Sequence, residues 1–185
     1  MISNMSLIYI TGPAGSGKTT TVLELRKRGY EAHDADDKLC GWYDANNTKV
    51  AYPSDELIDL AEWEDRHTFN FSDKLTKELA QESEGKLVFV CGNALGNDLE
   101  IADRYFDKII CLETDLATMR HRIKTRPAAY GKDPAVLAIL EQEFQSTLER
   151  YSSHDAVMID ATKPIGIVTD EVIRVALENE HQFIG

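Results

Sequence analysis

Positive charge is scarce in this chain, in which 20 lysines and arginines stand against 32 aspartates and glutamates, a formal net charge of −12. Proteins that bind nucleic acid obtain much of their affinity by neutralising phosphates with basic side chains. The composition therefore predicts that nucleic acid is not a partner. A small anionic ligand held in a locally basic pocket remains compatible with it.

Long apolar runs and a targeting segment are also missing. No run approaches the ~20 apolar residues that a membrane-spanning helix needs. Residues 1–5 lack the basic stretch and following apolar stretch of a secretory signal. We therefore expect a cytoplasmic protein that does not bind membranes. The sequence leaves open whether Met1 or Met5 is the native start.

Cysteine is rare, and its spacing is uninformative for metal binding. Cys40, Cys91 and Cys111 are far apart and odd in number, and they form neither a CxxC pair nor a plausible disulfide framework. Cys91 and Cys111 stand in apolar runs, where a buried thiol is the ordinary interpretation. This use of cysteine is typical of a reducing compartment.

Short apolar runs alternate with helical patterns along the whole chain. The predicted strands cover residues 7–10, 31–33, 87–91, 108–112 and 156–159. The predicted helices begin at Lys18, cover residues 55–66, 72–82, 115–124 and 164–179, and include one that opens at Asp133-Pro134. Residues 41–54 show no period and are predicted to be an inserted loop. This alternation predicts a three-layer α/β fold with a parallel sheet, in one domain over residues 1–185.

The most specific motif is a phosphate loop at residues 12–19, where Gly12, Gly17, Lys18 and Thr19 match G-x-x-x-x-G-K-[ST] completely. Backbone N–H groups of such a loop and the following helix N-terminus bind phosphates. Lys18 is predicted to act catalytically near the β- and γ-phosphates of ATP, and Thr19 to bind Mg²⁺. The other predicted nucleotide-binding residues of this region are Ala14, Gly15, Ser16 and Thr20. The alternative is a glycine-rich turn with a solvated lysine.

Two carboxylates follow the second predicted strand. Asp34 and Asp36 are therefore expected at the same carboxyl edge of the sheet as the phosphate loop, where α/β sheets bind ligands. One of these carboxylates can hold Mg²⁺, and the other can orient an acceptor hydroxyl and accept its proton. The alternative is a solvated acidic first turn of a helix.

Basic residues are concentrated in one segment, where Arg120, Arg122, Lys124 and Arg126 lie within seven residues. We predict a lid over about residues 120–134. Such a lid would bring guanidinium groups onto the transferring phosphoryl group, where charge develops in the transition state. The alternative is a solvated helix face paired with carboxylates.

Together these motifs resemble the shikimate kinase, gluconate kinase and adenylate kinase group of small P-loop kinases. The resemblance implies a five-stranded parallel sheet of order 2-3-1-4-5 with helices on both faces. It implies ATP and Mg²⁺ as cofactors, with Asp34 holding Mg²⁺ and facing the acceptor and Asp36 on the acceptor hydroxyl. It implies further that Arg126 contacts the transferring phosphoryl group and that Arg122 contacts the nucleotide. It also implies that Thr162 and Pro164 lie in a loop that contacts the adenine ring.

The resemblance places the acceptor site in an insertion at about residues 38–84. Both tryptophans, Trp42 and Trp63, fall there. Arg66 and His67 are candidate acceptor-binding residues within it, although packing alone also explains such residues. Gly92 and Asn93, and also Asn97, follow the third core strand and are candidates from the neighbouring edge.

The chain departs from shikimate kinases in two respects. Of the glycine run that follows their third strand, only Gly92 fits comfortably in the segment 91–97. The Arg-x-Pro segment that helps bind the shikimate carboxylate is absent, and Arg150-Tyr151 is its nearest remnant. These departures argue against shikimate itself as the acceptor.

The sequence therefore favours a kinase that transfers the γ-phosphoryl group of ATP to a hydroxyl of a small metabolite, such as a nucleoside or a sugar acid. The alternative is a nucleotide-dependent switch ATPase without a small-molecule acceptor. No guanine-reading Asn/Thr-Lys-x-Asp motif is present. The acceptor, the preference for ATP over GTP, and the choice between monomer and homodimer stay open.

Overall fold

A computed structural model describes residues 7–53, 60–94, 96–127 and 131–178 of the chain. The strands are β1 (Leu7–Thr11), β2 (Glu31–Asp34), β3 (Cys40–Tyr43), β4 (Lys49–Val50), β5 (Thr68–Phe71), β6 (Val88–Cys91), β7 (Lys108–Glu113) and β8 (Val157–Asp160). The helices are α1 (Lys18–Lys27), α2 (Ala35–Lys38), α3 (Leu60–Asp65), α4 (Asp73–Glu82), α5 (Asp98–Tyr105), α6 (Leu116–Thr125), α7 (Pro134–Ser152) and α8 (Ile165–Leu177).

Five strands form a parallel sheet in the order β2-β6-β1-β7-β8. Numbered within this sheet alone, the order is 2-3-1-4-5, so the predicted fold class and strand order are confirmed. The central strands β1 and β6 are buried along their whole length, as continuous apolar runs covered on both faces should be.

Helices cover both faces of this sheet. On one face, Ile8 and Ile10 of β1 pack into a core with residues of α1 and α8. On the other face, Leu7 and Tyr9 pack into a core with residues of α4, α5 and α7. The alternation follows from the period of two along a strand, which sends successive side chains of β1 into opposite layers.

Side chains define several helix starts where the sequence predicts them. Ser72, Asp115 and Asp133 are N-caps of α4, α6 and α7, and each accepts hydrogen bonds from backbone N–H groups of the first turn. Pro134 occupies the first position of α7, where its missing N–H costs no helical hydrogen bond.

The predicted loop at residues 41–54 is wrong in part, because β3 and β4 lie in it. With β5 they form a second, antiparallel sheet of order β4-β3-β5. Its paired positions include the aromatic residues Trp42 and Tyr43 of β3 and Phe69 and Phe71 of β5, with Trp42 opposite Phe69, a composition that favours strands. Asp44 closes the hairpin by accepting hydrogen bonds from two backbone N–H groups of the turn.

Other boundaries differ from the sequence predictions. The predicted helix at 55–66 is observed as α3, and residues 54–59 lie outside the described part of the chain. Residues 1–6 also lie outside it, including both candidate start methionines. Strand β5 and helix α5 have no counterpart among the predicted elements.

All three cysteines are free and buried. Burial raises the pKa of each thiol, that of Cys111 to about 12, so the thiols stay protonated near neutral pH. The interpretation of Cys91 and Cys111 as core residues is confirmed. Across the described residues, no helix has both the length and the apolar character needed to cross a membrane.

Candidate functional site

A cleft of about 1030 Å³ lies along the carboxyl edge of the parallel sheet. Its walls come from the phosphate loop, the segments that follow β2 and β6, helices α6 and α7, and the connection from β8 to α8. This is the edge at which α/β folds bind ligands, because the loops and helix N-termini open there.

The phosphate loop has the backbone that its glycines permit. Gly12, Gly15 and Gly17 have φ angles of 139°, 75° and 104°, values that residues other than glycine rarely adopt. Gly17 is the N-cap of α1, so the loop feeds directly into the start of that helix. At Gly12 space is limiting as well, since a Cβ atom there would lie 2.5 Å from the carbonyl oxygen of Leu112.

We predict that Gly12→Ala destabilises the fold by about 1–3 kcal/mol, because the change adds backbone strain and a contact with a fixed carbonyl group. Gly85→Ala is the matched control, since Gly85 also has a positive φ of 78° but its Cβ would meet nothing within 4 Å. Urea unfolding of both variants measures the difference. Equal losses in the two would show that the Leu112 contact is unimportant.

Lys18 lies half-buried over its own loop. Its Nζ donates hydrogen bonds to the carbonyl oxygens of Gly12, at 2.6 Å, and Pro13, at 3.0 Å. Burial lowers the pKa of Lys18, and the negative charges of Asp36 and Asp34 oppose this effect. The ammonium group is therefore held at the centre of the cleft between the phosphate loop and the acidic pair.

The acidic pair stands where the sequence predicts it. Asp34 ends β2 beside Cys91 of β6 and caps α2, with its Oδ1 accepting a hydrogen bond from the Asp36 N–H at 3.1 Å. Burial, together with the charge of Asp34, raises the pKa of Asp36 to about 6, although its side chain reaches the solvent of the cleft. Burial also raises the pKa of Asp34.

These residues fit the Mg²⁺ ion that accompanies a nucleotide in this class of fold. Such an ion takes one or two oxygen ligands from the protein and completes its shell with phosphate oxygens and waters. Thr19 and Asp34 both line the cleft and supply a hydroxyl and a carboxylate. Burial raises the pKa of both Asp34 and Asp36, and the charge of Asp34 raises that of Asp36 further, so a cation nearby would favour the charged carboxylates.

Arg122 joins two walls of the cleft. Its Nη1 donates to the carbonyl oxygen of Ser16 at 3.2 Å, and its Nη2 donates to that of Ala161 at 2.7 Å. The guanidinium group thus connects the phosphate loop to the β8–α8 connection. Arg122 lines the cleft, and its contact with a nucleotide stays a prediction.

The other basic residues of the predicted lid lie in different surroundings. Arg126 ends α6 and lines the cleft beside Arg122. Arg120 instead forms two hydrogen bonds with the Glu141 carboxylate of α7, at 2.5 and 2.8 Å, and Lys124 is exposed. Residues 128–130 of the predicted lid lie outside the described part of the chain.

Some of the predicted acceptor residues line the cleft and others do not. Gly92 and Asn93 line the cleft. A Cβ atom at position 92 would lie 2.5 Å from the Cβ atom of Ala35, the first residue of α2, so position 92 requires glycine. Arg66 pairs with Glu62, and the His67 ring stacks on Trp63. Neither Arg66 nor His67 is among the described residues that line the cleft.

The remaining predicted contacts lie next to the cleft. Asn97 is used elsewhere, since its side-chain amide pairs with the backbone N–H and carbonyl of Phe71. The Thr162 hydroxyl donates to Asp160 at 2.6 Å, and Pro164 caps α8. The neighbours of Thr162, Ala161 and Lys163, supply the described lining of that wall.

Sequence reasoning missed a buried polar network under the cleft. Asp98 is fully buried and accepts hydrogen bonds from Arg150 Nη2 at 2.5 Å, from the Tyr151 hydroxyl, and from the Tyr9 hydroxyl at 3.3 Å. The Tyr151 hydroxyl also lies 2.9 Å from Asn93 Oδ1, so the network reaches the cleft wall. The one signal in the sequence was the Arg150-Tyr151 pair, whose partner the sequence does not show.

Sequence reasoning also missed which residues of the acceptor insertion reach the cleft. Trp42, Glu64 and Phe69 line it. The aromatic composition pointed to this region, but the choice among its residues depends on the pairing of β3 with β5.

The chain is similar to a known protein family. A family model described as an AAA domain matches residues 8–144, and the chain belongs to this family. A comparison with curated proteins gave no significant match.

Solved structures of small kinases share the fold. A shikimate kinase from Acinetobacter baumannii in complex with shikimate is 18% identical, covers 96% of each chain and has a TM-score of 0.59. A gluconokinase from Sinorhizobium meliloti 1021 is 15% identical, with coverage of 93% of this chain and 94% of that one and a TM-score of 0.53. A sugar kinase from Janibacter sp. HTCC2649 is 16% identical, with coverage of 92% and 93% and a TM-score of 0.53. At these identities the likeness establishes the fold alone, an α/β sandwich with a P-loop.

Proposed function

We propose that this protein is an ATP-dependent phosphotransferase that moves the γ-phosphoryl group to a hydroxyl of a small metabolite. The observation that carries the proposal is that the phosphate loop, the pair Asp34 and Asp36, and the lid arginines Arg122 and Arg126 line one cleft. A nucleotide-binding protein needs only the first of these three. The acidic pair on the far side of Lys18 supplies the groups that an acceptor hydroxyl requires.

The proposed chemistry assigns one task to each residue. Asp36 accepts the proton of the acceptor hydroxyl as its oxygen bonds to the γ-phosphorus, while the bond from that phosphorus to the β–γ bridging oxygen breaks and ADP leaves. Lys18 stabilises the negative charge that develops on the bridging oxygen. Arg126, at the end of α6, contacts the transferring group from the lid side.

The cofactors are held by residues already in place. The backbone of residues 12–19 and the N-terminus of α1 bind the ATP phosphates. Thr19 and Asp34 would hold Mg²⁺, which supplies neutralising charge when bound. Arg122 fixes the distance between the phosphate loop and the wall at Ala161, so it shapes the space for the nucleotide.

The proposal is tested by measuring ADP formation from MgATP with and without candidate acceptors, including nucleosides, sugars and hydroxy acids. We expect at least one hydroxyl compound to raise the rate well above that in water alone. If every compound leaves ADP formation at the water rate, the transferase is ruled out for that panel and a switch ATPase becomes the better description.

Lys18→Ala is expected to lower kcat/KM for phosphoryl transfer by roughly 10²–10³-fold, because it removes one charged donor to the transition state. Lys27→Ala is the control, since Lys27 lies on the same helix with its side chain 78% exposed. The control should behave as the parent protein. Near-normal activity of Lys18→Ala would contradict the role given to the phosphate loop.

A further inference from the structure

Charge is distributed unevenly along the cleft. The basic side chains that line it are Lys18, Arg122, Arg126 and Lys163. Apart from Lys18 in the phosphate loop, they come from α6 and from the β8–α8 connection. These elements stand at the β8 end of the sheet, so the cations surround the place proposed for the nucleotide.

The opposite end of the cleft is acidic. Asp34 and Asp36 follow β2, the other edge strand of the parallel sheet, and Glu64 lines the same cleft from α3. Lys18 lies between the two ends, with its Nζ on the phosphate-loop carbonyl groups. Four carboxylates thus line the cleft, of which Asp34, Asp36 and Glu64 come from these elements and Glu143 comes from α7.

Apart from Lys18, no basic side chain among the described residues lines the cleft at this end. All 20 lysines and arginines of the sequence fall within the described residues, so the set of candidates is complete. Beside the acidic pair, Arg26 donates to the carbonyl oxygen of Ala32 at 2.7 Å, and the Lys38 Nζ lies 3.5 Å from His33 Nε2. Arg66 pairs with Glu62 and Arg150 with the buried Asp98, and none of these four basic residues is in the described lining of the cleft. The Lys49 side chain lies across Gly41, where a Cβ atom would be 2.6 Å from its Cε.

Aromatic rings border the acidic end. The aromatic wall consists of Trp42, Tyr52, Trp63 and Phe69, whose neighbouring ring centroids are 5.2–5.7 Å apart. Trp42 and Phe69 of this wall line the cleft. The Tyr52 hydroxyl donates to Glu64 Oε1 at 2.7 Å, which fixes that carboxylate beside the rings.

Aromatic faces beside carboxylates recognise a particular chemistry. Ring faces bind flat or apolar surfaces and attract cations, and a carboxylate adds to the attraction for a cation. A carboxylate or phosphate on the ligand would instead be buried beside like charges without a counter-ion, which disfavours binding.

On the basis of the phosphotransfer proposed above, we infer that the acceptor is a neutral or positively charged hydroxyl compound with a flat ring, and that carboxylate and phosphate acceptors are excluded. The ring packs against Trp42 and Phe69, and a cationic or hydrogen-bond-donating substituent faces Glu64. This narrows the acceptor class and removes sugar acids and nucleoside monophosphates from it.

The test uses sets of three compounds that share a ring and a hydroxyl and differ in one substituent. One set is tyramine, tyrosol and 4-hydroxyphenylacetate, and the other is 5′-amino-5′-deoxyuridine, uridine and uridine 5′-carboxylic acid. Binding is measured in the presence of Mg²⁺ and a non-hydrolysable ATP analogue by tryptophan fluorescence. The chain has only two tryptophans, Trp42 and Trp63, and both belong to the aromatic wall. ADP formation is measured in parallel with MgATP.

We expect the amine and hydroxyl members to bind at least ~10-fold more tightly than the carboxylate member of each set. Tighter binding of a carboxylate member, or no binding by any compound, overturns the inference. Binding in the expected charge order without any ADP formation supports the inference and contradicts the phosphotransfer proposal. The inference about the acceptor and the proposal of phosphotransfer can therefore be contradicted independently.

Glu64→Gln tests the residue that distinguishes the amine from the hydroxyl member. It should reduce the preference for the amine at least several-fold while leaving the affinity for the ATP analogue unchanged. Asp65→Asn is the matched control, since Asp65 is the exposed next residue of α3 and is not part of the described lining. The same loss of preference in both variants would show that Glu64 has no specific role.

Discussion

Replacing Asp98 by alanine is expected to destabilise the folded protein by about 2–4 kcal/mol, because the change leaves two buried phenol groups without their carboxylate partner and breaks the ion pair with Arg150, whose side chain is 36% exposed. Asp98 is fully buried and accepts hydrogen bonds from Arg150, Tyr151 and Tyr9. Burial raises the pKa of both tyrosines, and the charge of Asp98 raises them further, so both hydroxyls keep the protons that they donate.

The chain contains a matched control for this prediction. Asp73 accepts hydrogen bonds from Arg104 Nη1 and the Tyr105 hydroxyl, both at 2.9 Å, on the exposed surface. This is the same arginine–tyrosine pairing as at Arg150-Tyr151. Asp73→Ala should cost less than ~1 kcal/mol, since exposed ion pairs contribute little. Urea unfolding measures both, and similar losses would mean that burial does not set the energy of the Asp98 network.

Asp36→Asn is expected to lower kcat for phosphoryl transfer by roughly 10²–10⁴-fold, because an amide cannot accept the hydroxyl proton. Affinity for the ATP analogue should change only a few-fold, since the phosphate loop and α1 are untouched. Titration with the analogue and steady-state ADP formation measure the two quantities on one protein sample.

Asp37→Asn provides the comparison for Asp36. Asp37 is the next residue of α2, is exposed and is not among the described residues that line the cleft. It should retain kcat close to that of the parent protein. An unchanged kcat in Asp36→Asn, or an equal loss in Asp37→Asn, would remove Asp36 from the mechanism.

The parallel sheet is predictable because its signals are local. The central strands β1 and β6 are short apolar runs next to turn residues, and the phosphate loop fixes which strand is β1. The resemblance to small P-loop kinases supplies the strand order, which the sequence pattern alone does not give.

The antiparallel sheet escapes prediction because its pairing is not local. Trp42 stands opposite Phe69, and the residues between them show no period that indicates a partner. A single strand of four residues has a weak pattern by itself and gains its meaning from cross-strand contacts. The aromatic wall and the position of Glu64 therefore needed the structure.

Helix α6 shows how packing divides a basic cluster. Arg120 and Arg122 are two residues apart, so they lie on nearly opposite sides of the helix. Met119 and Ile123 are fully buried one turn apart, and they set the orientation in which Arg122 reaches the phosphate loop and Arg120 reaches Glu141. The sequence predicts the cluster, but the choice between its members depends on this packing.

The central claim is that a phosphoryl group moves from ATP to a hydroxyl in the cleft. Its most direct test is ³¹P NMR of the protein with MgATP and an acceptor from the neutral or amine-bearing compounds described above. We predict that the ATP γ-phosphorus signal is replaced by that of a phosphomonoester, in an amount equal to the ADP formed. Formation of ADP with inorganic phosphate as its only partner product would contradict the claim.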